Sequence, residues 1–117
     1  ISAQRFARYL NMPKTSGPKI LIVDLESSPN LADVWGLWGQ NVSLNQLREV
    51  SSVICFAAKW YGERQMMFYS DYHDGHKKMV KEAHKLFDEA DIVVTYNGIS
   101  FDVKHFQREF LLLGLNP

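Results

Sequence analysis

An α/β fold with a mixed sheet, an antiparallel hairpin and flanking helices is what the sequence predicts, and three observations carry that expectation. Two apolar runs with strand character, "KILIVDL" at 19–25 and "DIVVTYN" at 91–97, are separated by a stretch of helical periodicity, "GHKKMVKEAHKLFDEA". Two further strand-like runs in "SVICFAAKWYGERQMMFYSD" meet at Gly62 and Glu63, which reads as a hairpin. A helix between the hairpin and the next strand permits a right-handed crossover, so that strand is expected to run parallel to the first.

Composition sets limits on function. The chain has 117 residues, 46% of them hydrophobic and 13% aromatic, with a formal net charge of zero. That suits one globular domain with a single core and argues against a disordered chain. Neutrality also argues against binding polyanions by bulk charge, while leaving room for a local basic patch beside an acidic site. Cys55 is the only cysteine. It has no disulfide partner within the chain, and its apolar run "VICFAAKW" predicts a buried free thiol. No apolar stretch approaches the roughly 20 residues of a membrane span, and "ISAQRFARYL" lacks a secretory core, so a cytoplasmic protein is expected.

Taken in order, residues 1–18 carry Arg5, Arg8 and Lys14 with no acid and end in "PKTSGP", which reads as a basic arm and linker. The domain proper is expected over 19–117. "KILIVDL" is apolar on both faces, as a central strand covered by helices on both sides would be. In "SSPNLADVWGLWGQNVSLNQLREV" turn residues mix with two tryptophans, and a short extended piece is expected around Val34 to Trp38, then a helical turn near Leu44 to Glu49. In the helical stretch, Met79, Val80, Ala83, Leu86, Phe87 and Ala90 recur at three- and four-residue intervals. In "GISFDVKHFQREFLLLG", Phe101, Phe106, Phe110 and Leu113 hold helical register up to a Gly114 stop.

Chemistry concentrates at two strand ends. Residues i and i+2 of a strand share a face, so Asp24 and Glu26 present carboxylates side by side, about 7 Å apart at the backbone. Two adjacent carboxylates repel each other, and a divalent cation between them reverses that balance. The all-oxygen set favours Mg2+ or Mn2+, because no Cys and His cluster has zinc spacing. Past the second apolar strand, Tyr96, Asn97 and Gly98 lead to Asp102 near a helix start, where negative charge is favoured and where it can face Asp24. Taken alone, Asp102 is better explained as only stabilising that helix start.

Together the two stretches resemble a known family. Asp-x-Glu ending the first strand, followed some seventy residues later by "YNGISFD", resembles the first two motifs of the DEDD (DnaQ-like) 3′-5′ exonucleases of the ribonuclease H-like superfamily. The second motif is most similar to the proofreading domain of family B DNA polymerases. The resemblance covers about residues 19 to 115. It implies a ribonuclease H-like mixed sheet and an exonuclease that uses two divalent metal ions, Mg2+ or Mn2+, on the 3′ end of a single-stranded nucleic acid, DNA rather than RNA. It further implies that Asp24 bridges both ions, that Glu26 binds the water-activating ion, that Asp102 holds the second, and that Tyr96, Asn97 and Phe101 shape the nucleotide pocket. A third motif, Tyr-x-x-x-Asp or His-x-x-x-Asp, belongs after the second, and the chain ends at Pro117 before it. The expectation is therefore the N-terminal portion of such a domain, truncated before its last strand and helix, inactive without the third motif, and open to homo-oligomer or swapped-dimer formation at an unpaired sheet edge.

The match of His84 and Asp88 to the third motif precedes the second motif and reads as a decoy. A Rossmann module is a poor rival, because "DLESSPN" offers no glycine for close phosphate approach. A catalytically silent module that binds nucleic acid or protein is the stronger alternative. Trp60 is expected to pack, while Trp35 and Trp38 either pack or form an exposed flap.

Overall fold

The computed structural model describes residues 17–96 and 101–117. The basic arm expected over 1–18 lies outside the described residues except for its last two. β1 (Ile20–Ser27) alternates strictly, with Leu21, Val23 and Leu25 buried and Ile22, Asp24 and Glu26 exposed. β4 (Val53–Trp60) pairs antiparallel with β1, from Leu21 opposite Trp60 to Glu26 opposite Cys55, and a bulge follows between Glu26 and Ser27. The hairpin is as expected: β4 turns through Gly62, whose φ is +87°, into β5 (Met66–Ser70), with Lys59 opposite Met66 and Cys55 opposite Ser70.

β5 leads into a single turn, α1 (Asp71–Asp74), and then α2 (His76–Glu89). α2 returns the chain to β6 (Ile92–Val94), which runs parallel to β1 with Ile20 opposite Ile92 and Ile22 opposite Val94. The crossover expected from the sequence is thus present, and the sheet order is β5-β4-β1-β6. α3 (Val103–Leu112) follows and stops at Gly114, whose φ of +72° lets the chain leave the helix without Cβ strain.

The core lies between the sheet and the two long helices. Met79, Val80, Ala83 and Ala90 from α2 and its end, with Phe106 and Phe110 from α3, bury against Leu21, Val23, Leu25, Phe56 and Ala58. Phe106 meets Phe56 edge-on at 5.5 Å and Phe87 at 4.9 Å, and Phe87 also meets Phe110 at 5.6 Å, so aromatic contacts join the two helices over the sheet.

Four expectations are corrected. Among the described residues, helices cover only one face of the sheet, and Ile22, Phe68 and Val94 remain partly exposed on the other. Both long helices pack on the face that carries Leu21, Val23 and Leu25, so β1's apolar residues on its second face find no helix. Val34 to Trp38 form no strand. The extended pair is instead β2 (Leu31–Ala32) with β3 (Leu47–Glu49), after a single helical turn at Leu44–Gln46. Cys55 is only half-buried, because it sits opposite Glu26 on the open face. Its thiol is held above the usual range by partial burial and by the Glu26 charge. Phe101 stands apart from the apolar face of α3, partly exposed. No helix among the described residues is long and apolar enough to cross a membrane.

Candidate carboxylate site

Asp24 and Glu26 lie near the carboxyl end of β1 on the open face, opposite Ala57 and Cys55. Their exposure follows from the alternation that sends Val23 and Leu25 into the core. Asp102 arrives from the other side, just ahead of α3. Its backbone is already helical (φ −60°, ψ −49°) and its side chain makes no capping hydrogen bond, so stabilising the helix start by a cap is not its role. The residue is only 4% exposed, and its Oδ2 has no hydrogen-bond partner among the described residues. Burial pushes its carboxyl above the usual range, and the charges of Asp24 and Glu26 push it the same way against the opposing effect of His105. The charges of Asp24 and Glu26 are therefore felt at Asp102.

An all-carboxylate set with one orphaned, buried oxygen has the donor chemistry that a hard divalent cation takes. Among the described residues, however, no three His, Cys, Asp or Glu side chains are gathered closely enough to hold one ion. Tyr96 is fully exposed two residues past Val94, and Phe101 is partly exposed. Asn97 lies outside the described residues.

Two features of the site had little signal in the sequence. The His105 ring packs against Phe101 with centroids 4.5 Å apart. Its Nδ1 is buried with no partner among the described residues, and burial followed by the nearby Arg108 holds its pKa below the ordinary value. The spacing of one helical turn from Phe101 was the available clue. The second feature is a polar lock around Glu109, which is 2% exposed. Its Oε1 accepts from the Val53 backbone N–H at 3.1 Å, and its Oε2 lies 2.8 Å from His76 Nε2. His76 Nδ1 lies 2.8 Å from Asp71 Oδ1. Arg108 donates to the Ser51 carbonyl beside the same carboxylate. The lock ties α1, α2 and α3 to the start of β4, next to the bulge that follows Glu26.

The decoy histidine is accounted for structurally. His84 Nε2 lies 2.9 Å from the Asn116 carbonyl, and its ring meets Phe110 edge-on. It belongs to a cleft on the helix-covered side lined by Phe87, Val93 and Phe110, on the other face from Asp24 and Glu26.

With that geometry in place, the fold finds a counterpart among solved structures. It is similar to part of the family B DNA polymerase from the hyperthermophilic archaeon Pyrobaculum calidifontis. The TM-score is 0.52 at 19% sequence identity, over 85% of this chain and 12% of the polymerase chain. No family model and no curated protein matches the sequence. At this identity the likeness speaks for the fold. The mixed sheet with its hairpin and flanking helices is consistent with the ribonuclease H-like architecture expected from the sequence.

Proposed function

We propose that this domain is the carboxylate-bearing part of a metal-dependent 3′-5′ exonuclease acting on single-stranded nucleic acid, DNA rather than RNA, in the cytoplasm. The observation that carries the reading is Asp102, a buried carboxylate with an oxygen that has no partner among the described residues and an acidity weakened by burial and by Asp24 and Glu26. A chain that brings a third acid to two others, without a cation of its own among them, has the charge balance of a site that takes one up. The fold likeness to a DNA polymerase supports the same class of substrate.

In this reading Asp24, Glu26 and Asp102 hold two Mg2+ or Mn2+ ions. When bound, such ions lower the pKa of an attacking water and stabilise the departing 3′ oxygen. Asp24 and Glu26, being exposed on β1, are free to turn toward the ligand, whereas Asp102 is fixed by burial. Tyr96, Asn97 and Phe101 are assigned to the terminal nucleotide. The packing of His105 on Phe101 holds that ring in place.

Calorimetric titration of Mn2+ into the wild-type chain and Asp24→Asn, with degradation of a labelled single strand followed in the same samples, tests this. The expected result is binding that disappears in the variant, and an identical titration for both proteins rejects it. A silent nucleic-acid or protein-binding module is the second reading. It is favoured by the absence, among the described residues, of three ligands gathered around one point, and it predicts strand binding without any dependence on divalent cation.

A further inference from the structure

The carboxyl end of the sheet carries large aromatic side chains that the core does not use. Trp35 is 82% exposed, Trp38 88% and Tyr72 91%. Phe56, Phe106 and Phe110 are in the core, and Trp60 packs against it with the Lys19 ammonium 5.3 Å from its ring, while Tyr61, Phe68 and Tyr96 are exposed as well.

Register places the exposed residues. Glu26, Cys55 and Ser70 form one row across β1, β4 and β5. β5 ends on that row, so Tyr72 follows two residues past Ser70 at the end of the sheet where Glu26 lies. The paired strands β1 and β4 continue beyond the bulge as β2 and β3, held by Ser28 N–H to Ser52 O at 2.8 Å and Ser51 N–H to Asn30 Oδ1 at 2.7 Å. Residues 33–46 close that ribbon and carry Trp35 and Trp38 past the same end. The loop is braced: Asp33 N–H donates to Gln46 O, Gln46 Nε2 returns a hydrogen bond to Asp33 O, and Arg48 pairs with Asp33 at 2.8 Å. The tryptophans therefore stand on a supported loop.

Lysines stand at this end beside the acids of α1, Asp71 and Asp74. α2 runs back along β1, because its far end meets the start of β1 through Asp91 N–H to Lys19 O. Its first turn therefore lies at the end of the sheet that carries Glu26. That turn contains no acid, and its Lys77 and Lys78 are exposed, with no ion pair among the described residues. Cations at a helix start oppose the helix dipole, and no acid on α2's first turn offsets them.

We propose that Trp35, Trp38 and Tyr72 form a base-stacking rim for single-stranded nucleic acid beside the carboxylates, with Lys77 and Lys78 taking backbone phosphates. The proposal rests on the nucleic-acid reading above and adds the residues that hold the strand away from the cleaved end. Aromatic rings on separate elements, flanked by unpaired lysines, match a polymer that repeats a π-face and a negative charge at every step. A protein partner matches the rings but leaves the lysines unexplained.

The test measures binding of a short labelled oligothymidylate in EDTA, by polarisation and by quenching of tryptophan fluorescence, at about 50 and 200 mM salt. Trp35→Ala/Trp38→Ala and Tyr72→Ala are exposed changes, and their circular dichroism is expected to match the wild type. The double variant should bind about tenfold more weakly or worse, and Tyr72→Ala about fivefold more weakly. Lys77→Gln/Lys78→Gln should reduce the slope of log affinity against log salt by roughly 1 to 1.5. Absence of wild-type binding, or variants that bind like the wild type, overturns the rim. So does a double variant that keeps strand affinity but loses self-association, because the tryptophans then cover protein. Cleavage with Mn2+ is followed separately. Binding in EDTA by a chain that takes up no Mn2+ sustains the rim and rejects the metal site, while cleavage that is unaltered in the aromatic variants rejects the rim alone.

Discussion

Asp102 is strained in the sense that matters for binding: it is buried, two like charges act on it, and one of its oxygens has no hydrogen-bond partner among the described residues. Asp102→Asn removes that repulsion, so in chelator the variant should melt at a higher temperature than the wild type while losing Mn2+ affinity, a trade of function for stability. Equal melting temperatures would show that the carboxylates do not oppose folding. Glu109 is the opposite case, a buried acid whose oxygens are all engaged. Glu109→Ala leaves the Val53 N–H without a partner and should cost about 2–3 kcal/mol in urea unfolding. His76 loses some basicity to burial, but hydrogen bonds to Glu109 and Asp71 and their charges outweigh that, so its pKa stands above the ordinary 6.5. A raised folded pKa means its stabilisation is complete below about 6.5 and fades as pH climbs through the folded value. His76→Gln should therefore lower the melting temperature clearly below pH 6 and much less at pH 9. At this scale Asp24 and Glu26 were legible because a strand's period of two fixes their common face. His76 with Glu109, and Val53 with Glu109, were not, since they meet across 33 and 56 residues of sequence.

The elements read best where pattern and burial agree. α2 was visible from its three- and four-residue spacing, and Met79, Val80 and Ala83 are indeed its buried stripe. Met79→Ala, at a fully buried position, should cost about 2–5 kcal/mol in chemical denaturation. Gly75, between α1 and α2, has φ +82° and ψ 147°, a region essentially reserved for glycine, and an added Cβ would meet nothing within 4 Å. Gly75→Ala should then lose only backbone energy, about 1–3 kcal/mol, and a neutral substitution would show that the joint can re-form. Sequence reading failed in the segment after β1. Val34 to Trp38 look extended by composition, but Gly36 and Gly39 break the run, Gly39 at φ +63°. The pairing that forms uses Leu31–Ala32 and Leu47–Glu49, because β1 and β4 extend their register past the bulge.

For the whole molecule, the one-sided covering of the sheet is the dominant fact. Ile22, Met66, Phe68, Ile92 and Val94 leave an apolar face only partly shielded, and β5 and β6 each have a free edge among the described residues. Apolar faces and open edges favour association. Light scattering should therefore give a mass that rises with concentration, and Phe68→Lys should reduce it, whereas a monomer at high concentration would reject association. The order of strand, hairpin, helix, strand and helix, and the parallel return of β6 to β1, were within reach of local pattern, because apolar period and crossover handedness are properties of short segments and their order. So was the common face of Asp24 and Glu26 on β1. Which face of β1 the helices would cover, the burial of Asp102, and the exposure of Trp35, Trp38 and Tyr72 had to wait for the fold. Each depends on packing between segments far apart in the chain, and no spacing along the sequence records it.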